Sequence, residues 1–322
     1  MPVVAGIDEA GYGPRLGPLV ASCTAFRTAE DSGDPGQLWD LLGEAVCRPG
    51  RGAAGRLTVG DSKKVYSGGS GLARLEQGVL AFLSVAGARA GTIEEAAAAL
   101  LSADCRKSLC AHPWYSSRGE RLPLAADGGR TAARAADLGR CCAERGVEVL
   151  PVRSRLLAEG EFNRRVSRDD NKASVLAGLV AELLRGVRAA AGADPLVVYV
   201  DRLGGRTDYA AFLGSACPGA LVWEEYRSPA RQCYRLDALA GPTRVEFRVG
   251  ADGHCFPAAL ASMASKYLRE VFMRRFNEYW RDIDPQVPPT SGYHVDAERF
   301  LQAVETHRRN LGIAAADLVR CR

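Results

Sequence analysis

Apolar positions open the chain in a short run, Val3-Val4-Ala5, and return after a glycine-rich stretch in a longer one, Leu19-Val20-Ala21-Ser22-Cys23-Thr24-Ala25-Phe26. The connection is short, so the two predicted strands are antiparallel. Residues 147–152 resume strand character and predict the third strand of a meander. Residues 195–201 are continuously apolar up to a terminal acid, the pattern of a strand covered on both faces. Residues 220–223 predict a further strand, and 244–249 alternate as a half-exposed strand does. Helical spacing is found over 38–46, 72–83, 93–101, 130–145, 207–214, 257–281 and 295–310. It is strongest over 169–191, where Asp169 and Asp170 stand at the start and Leu176, Leu179, Val180, Leu183, Leu184 and Val187 share one stripe.

This order predicts an α/β fold of one domain over 1–322: a mixed five-stranded sheet, three antiparallel strands and then parallel ones, flanked by helices. Residues 84–145 read as a helical insert of unassigned role, with Trp114 and Tyr115 in a loop at 113–119, either exposed to stack on a base or, as the better reading, packing the insert, and helices close the chain.

Composition narrows this little. At 322 residues, 47% hydrophobic and 25% charged, the chain is ordinary for a soluble globular protein, and a net charge of +4 selects no partner. Lys and Arg gather near the acid-bearing segments, which suits a polyanion held through metal. No apolar run is long enough to span a bilayer, and no signal peptide is evident, so no membrane partner is expected. Ten irregularly spaced cysteines are then expected to be free thiols in a reducing, cytoplasmic setting. Cys105, Cys110, His112, Cys141 and Cys142 do not keep the paired spacing of structural zinc and read as packed thiols.

The chemistry lies in the carboxylates. Asp8 and Glu9 end the first strand, and Asp201 ends the strand at 195–201. Adjacent buried carboxylates repel and require a cation or a proton. Strand neighbours point to opposite faces, so Asp8 and Glu9 meet on one side if the strand ends or kinks there. Glu270, on the helix at 257–281, would complete an oxygen-rich pocket suited to Mg²⁺ or Mn²⁺. Gly11 and Gly13 allow the backbone close to a ligand. Ser62 and Lys63, after a glycine-rich loop, suit a phosphate, and Asp61 or Ser62 equally suits a helix N-cap. Asp252, just before the long helix, reads as an acid that supports the metal ligands from behind or as a turn or cap residue; His254 and His294 read as loop residues or proton carriers.

Several of these segments resemble one family. Ile7-Asp8-Glu9-Ala10-Gly11-Tyr12-Gly13-Pro14, Asp61-Ser62-Lys63-Lys64, Val198-Tyr199-Val200-Asp201, Ala261-Ser262-Met263-Ala264-Ser265-Lys266-Tyr267-Leu268-Arg269-Glu270 and Ser291-Gly292-Tyr293 follow in the order of the type 2 ribonucleases H, ribonucleases HII and HIII. The resemblance covers most of the chain outside 84–145. It implies a ribonuclease H-like fold and a two-metal endonuclease that hydrolyses the RNA strand of RNA–DNA hybrids, or a ribonucleotide-containing duplex, leaving 3′-hydroxyl and 5′-phosphate ends. It assigns Asp8, Glu9, Asp201 and Glu270 to catalysis and to the metals. Gly11, Tyr12 and Gly13 fall beside the ribose 2′-hydroxyl, Ser62, Lys63 and Lys266 on the nucleic acid, and Tyr293 on the sugar at the scissile junction. A monomer is expected. Tyr12 stands where arginine is common in the family, Arg202 where glycine is common, and Glu270 where aspartate stands. Two alternatives stay open: the same metal site acting on DNA or another structured nucleic acid, and a non-catalytic nucleic-acid-binding protein.

Overall fold

The computed structural model describes residues 1–29, 34–50, 55–169 and 171–321. The first strand, β1 (Val3–Ala10), does not stop at the glycine-rich stretch but runs through both acids, paired with the antiparallel β2 (Leu19–Thr28) as far as Ala10↔Val20. The helix predicted over 38–46 is only α1 (Gln37–Leu41); its tail becomes β3 (Val46–Cys47), which pairs with β4 (Leu57–Thr58) in a small separate ladder. Next come α2 (Ser62–Tyr66) and α3 (Gly71–Val85).

The insert holds α4 (Ile93–Leu100), α5 (Ala103–Cys110), a 3₁₀ turn at Pro113–Tyr115 and α6 (Gly128–Glu144). The third strand is split into β5 (Val147–Val149) and β6 (Arg153–Leu157), each pairing with a different half of β2. Pro151 lies at the break, where its missing N–H cannot continue a ladder.

Next is α7 (Glu159–Asp169), and the helix expected over 169–191 follows as α8 (Lys172–Ala191), with the Asn171 side chain capping Ala173 N at 2.8 Å; Asp170 lies outside the described residues. Then follow β7 (Leu196–Asp201), α9 (Ala210–Ala216), β8 (Leu221–Arg227), β9 (Arg231–Asp237), β10 (Thr243–Arg248), α10 (Ala251–His254), α11 (Phe256–Ile283), α12 (His294–Asn310) and α13 (Ala315–Leu318).

Among the described residues the main sheet has eight strands rather than five, in the order β5-β2-β1-β7-β10-β9-β8, with β6 also on β2. It is mixed as expected: β1, β7 and β10 are parallel and every other pair is antiparallel. Sequence reading missed β9, whose outward positions Arg231, Cys233 and Arg235 dilute the alternation that Gln232, Tyr234 and Leu236 carry inward.

Helices cover both faces of the β1–β2 half. On one side, Val3, Ala5 and Ile7 of β1 pack with Val198 and Val200 of β7 against the stripe of α8. On the other, α11 lies directly on β1 and β2. A Cβ on Gly6 would sit 2.0 Å from the backbone nitrogen of Ala258, so only glycine lets strand and helix approach so closely. Phe256, fully buried at the helix start, meets Phe26, Phe82 and Trp39 edge-on at centroid distances of 5.4, 5.9 and 5.2 Å. Such pairs add about 0.5–1.5 kcal/mol each beyond area burial.

Of the two readings of the insert aromatics, exposed or packed, the structure shows the packed one. Trp114 and Tyr115 are 1% and 3% exposed. Trp114 packs among Phe276, Tyr279 and Trp280, and Tyr115 on Phe272, all four on α11. Buried Arg275 of α11 donates to Glu94 and Glu120 of the insert at 2.6 Å each. An aromatic-rich, glycine-flanked segment looks like a loop when its partners lie some 160 positions away.

Candidate metal centre

Parallel pairing between β1 and β7 ends at Ile7↔Val200, so the next residues of both strands stand at a fork. That fork carries the acids. One carboxylate oxygen from each of Asp8, Glu9 and Asp201 lies within 4.8 Å of the others, the only such group of three or more His, Cys, Asp or Glu among the described residues. No kink is needed to bring Asp8 and Glu9 together: β1 stays extended through both, and the Glu9 amide donates to Asp8 Oδ1 at 2.7 Å.

Each acid is fixed from behind. Ser265 Oγ donates to the Asp8 carbonyl at 3.0 Å and shares a hydrogen bond with Ser22 Oγ at 2.9 Å, tying α11 to both strands. Ser262 favours the charged form of the Asp8 carboxyl and shares a hydrogen bond with Ser62 Oγ at 3.0 Å. Asp201 Oδ1 accepts the Ala251 N–H at 2.9 Å, and the amides of Arg202 and Gly250 also favour its charged form.

The charges are only partly compensated, by the Lys63 ammonium. Burial, then Glu9, Asp201 and Asp252, pushes Asp8 well above the usual carboxylate range. Burial and the Asp201 charge raise Glu9 to about 7, against a partial offset from Lys63. Burial also raises Asp201. Three hard oxygen donors that resist ionising together are what a divalent cation relieves, so the residues present fit one.

Glu270 is not in this group. Its Oε2 accepts from Tyr66 Oη at 2.9 Å and its Oε1 from Lys266 Nζ at 2.5 Å, and it lines a separate cavity of about 530 Å³ with Met273, Arg274 and Ser291. The acid that does act on the cluster is Asp252 on α10. Its charge raises Asp8, and it is itself raised by burial, then by Asp61 and Asp201. Its position two residues after Gly250, just before the long helix, is the signal the sequence offers; the resemblance placed the fourth acid on Glu270 instead.

The remaining predicted residues surround the fork. Asp61 caps α2, its carboxylate accepting the Lys63 N–H at 2.9 Å, so Ser62 is buried on Ser262 while the Lys63 ammonium acts on Glu9, Asp201 and Asp252. Lys266 is held by Glu270 and the Tyr66 ring, 4.6 Å from its centroid. Tyr293 is half-exposed beside Gly13: a Cβ there would lie 3.9 Å from its ring. Gly11 has φ +88° and its turn folds onto Pro18. Tyr12 takes a cation from elsewhere, Lys172 Nζ lying 4.8 Å from its ring centroid. Arg202 turns away to the Pro229 carbonyl at 3.2 Å.

Buried charged residues hold the Gly11–Pro18 loop in place. Arg269 donates to the carbonyls of Pro18, Leu16 and Ser291, and Arg320 to those of Gly11 and Pro14. Glu159 Oε1 accepts both the Gly17 amide at 2.9 Å and Tyr115 Oη at 3.0 Å, which links the insert to the loop. Tyr115→Phe should therefore cost about 1–3 kcal/mol, read as a lowered thermal midpoint, because a fully buried carboxylate loses a donor.

No protein-family profile matches this chain, and no curated protein matches it. Solved structures do. The structure titled as the PCNA:RNase HII complex from Archaeoglobus fulgidus is 16% identical with a TM-score of 0.42, covering 99% of this chain and 94% of that one. The ribonuclease H2 of Pyrococcus horikoshii OT3 is 15% identical with a TM-score of 0.45, covering 98% and 92%. The Bst-RNase HIII complex with Mn²⁺ is 14% identical with a TM-score of 0.45, covering 99% and 65%.

Proposed function

We propose that this chain is a divalent-metal-dependent endonuclease that hydrolyses the RNA strand of RNA–DNA hybrids. The observation that carries the reading is the convergence of Asp8, Glu9 and Asp201 at the fork between two parallel strands. The motif order described above supports the substrate. Asp8, Glu9 and Asp201 would hold Mg²⁺ or Mn²⁺, with Asp252 as the fourth acid in place of Glu270. The bound cations would supply a polarised water and charge neutralisation at the scissile phosphate.

The chain's own residues supply position. Ser262 and Ser265 fix Asp8, and three backbone amides fix Asp201. Lys63 offers an ammonium to a phosphate next to the acids. The Gly11–Gly13 turn and Tyr293 form a wall against which a ribose sits, its 2′-hydroxyl the mark that separates RNA from DNA. Tyr66 and Glu270, the latter paired with Lys266, line a cavity that reaches Ser291.

Cleavage of an RNA–DNA hybrid, a duplex with one embedded ribonucleotide and an all-DNA duplex, each with Mg²⁺ and with Mn²⁺, tests the proposal. Cutting of the hybrid to 3′-hydroxyl and 5′-phosphate ends supports it. Cutting of the DNA duplex alone moves the substrate to DNA, and EDTA-insensitive binding without cleavage under either metal makes the chain a binding protein. The fourth acid has its own test. Asp252→Asn should lower the rate or metal affinity roughly tenfold to a hundredfold, whereas Glu270→Gln should stay within about tenfold of the parent. The reverse ranking would return Glu270 to the metals.

A further inference from the structure

Over β7 to β10 the sheet has one fully packed face; its other face is covered at β7, where Tyr199 packs with Ala251, Cys255 and Ala258, and opens toward β8. Val198, Val200, Val245, Phe247, Tyr234 and Leu236 enter the core shared with α8 and α9. The opposite face carries arginines and aromatics in register. Trp223, Arg235 and Arg244 form one row across three strands. Tyr226, Cys233, Glu246 and Tyr199 form the next. Arg231 and Arg248 form the third, and it ends on Asp201 of the metal centre. Trp223 and Tyr226 are 51% and 45% exposed, and the Arg235 and Arg244 side chains 51% and 55%.

Four arginines on this face share two carboxylates, Glu225 and Glu246, with Asp237 a third at the strand end. Beside the third row a cavity of about 370 Å³ is lined by Arg48, Arg231, Arg248 and Glu246, with Asp34, Asp40 and His254 also on its wall. Glu246 is 9% exposed, yet its Oε1 has no hydrogen-bond partner; Arg248 Nη1 stands 3.8 Å away and Arg231 Nε 3.9 Å from Oε2. A buried acceptor without a donor, facing a cavity ringed by guanidinium groups, fits a ligand with both an anionic group and a hydroxyl or amino donor.

We propose that this open face is a second nucleic-acid surface, which takes a single strand running on from the metal centre. Bases stack on Trp223 and Tyr226, phosphates meet Arg235, Arg244, Arg231, Arg248 and Arg48, and a ribose hydroxyl or base amino group donates to Glu246. A basic sheet with exposed aromatics favours this occupant over an apolar partner: stacking tolerates any base, and the arginines pair with phosphate in place of their shared carboxylates. The inference rests on the nucleic-acid reading of the metal centre.

The test uses the full chain in EDTA and a fluorescent single-stranded DNA of about twenty nucleotides, followed by anisotropy across a salt series. Trp223→Ala/Arg235→Ser/Arg244→Ser should weaken binding roughly tenfold or more and lower the salt slope by about two, while turnover of a blunt hybrid stays at the parental rate. Arg235→Gln/Arg244→Gln, which spares the ring, should lose the same slope with a smaller loss of affinity. Parental affinity and slope in both variants overturns the surface, as does a change confined to oligomeric state on light scattering, which would make this face a contact between copies. If the parent cleaves no hybrid but the triple variant loses strand binding, the nuclease reading falls and this surface stands. If the parent cleaves and the variant binds normally, the surface falls and the nuclease stands.

Discussion

Replacing Asp201 by Asn should reduce metal-dependent hybrid cleavage roughly 10³-fold or more without unfolding the protein. The substitution keeps the shape of the side chain and a carbonyl oxygen to accept the Ala251 N–H that Asp201 now accepts at 2.9 Å. It removes one of three converging negative charges, and with it the field that holds a divalent ion. The same loss of repulsion gives the variant a second signature. In EDTA above pH 7 it should melt no lower than the parent, and on adding Mg²⁺ its midpoint should rise less. Full cleavage by Asp201→Asn would remove the metal centre from the mechanism. Loss of cleavage accompanied by a large fall in the EDTA midpoint would show a structural role instead.

The second large effect is on stability. Glu9 is raised from its ordinary value of 4.5 to about 7, by burial first and the Asp201 charge second, and Asp8, Asp201 and Asp252 are raised in the same direction. A carboxyl that is harder to ionise in the folded state binds more protons there than in the unfolded chain, so folding stability falls as pH rises between the two values. Below about 4.5 Glu9 is protonated in both states and contributes no penalty; between 4.5 and 7 the penalty accumulates; above 7 it is constant. The metal-free protein should lose a few kcal/mol across that window, seen as a fall of roughly 5 °C or more in its thermal midpoint.

Carboxylates shifted the other way do not mask this. Asp296 and Glu305 are held low by arginine partners, and the stability they give is lost only as pH falls below about 4. Mg²⁺ takes the place of the proton, so it should stabilise more at pH 8 than at pH 5. Glu9→Gln should flatten the EDTA curve. A parental midpoint that is flat from pH 5 to 8 in EDTA, or an Mg²⁺ effect that does not grow with pH, would show that the acids do not share one repulsive site.

How much of this could be read from the chain differs by scale. Strands whose alternation or apolar run is local, β1, β2, β7 and β10, were legible, and so was the helix stripe of α8. β9 was not, because Arg231 and Arg235 break the apolar alternation that Gln232, Tyr234 and Leu236 carry inward. The partners of Trp114 and Tyr115 were not, because the groove that receives them is built by α11, far along the chain.

The same division holds for the acids. Asp8, Glu9 and Asp201 were legible because each ends an apolar strand, and the end of a buried strand is where a polar group can meet solvent and a ligand. What the sequence by itself determined is a mixed α/β fold with acids on two strand ends. Which fourth acid stands near them was decided by tertiary structure: α10 is short and pinned to Asp201, which brings Asp252 to act on Asp8, while Glu270 lies 14 residues along α11, engaged by Tyr66 and Lys266. Coulomb energy depends on distance through space, and distance along a chain fixes that only within a single element.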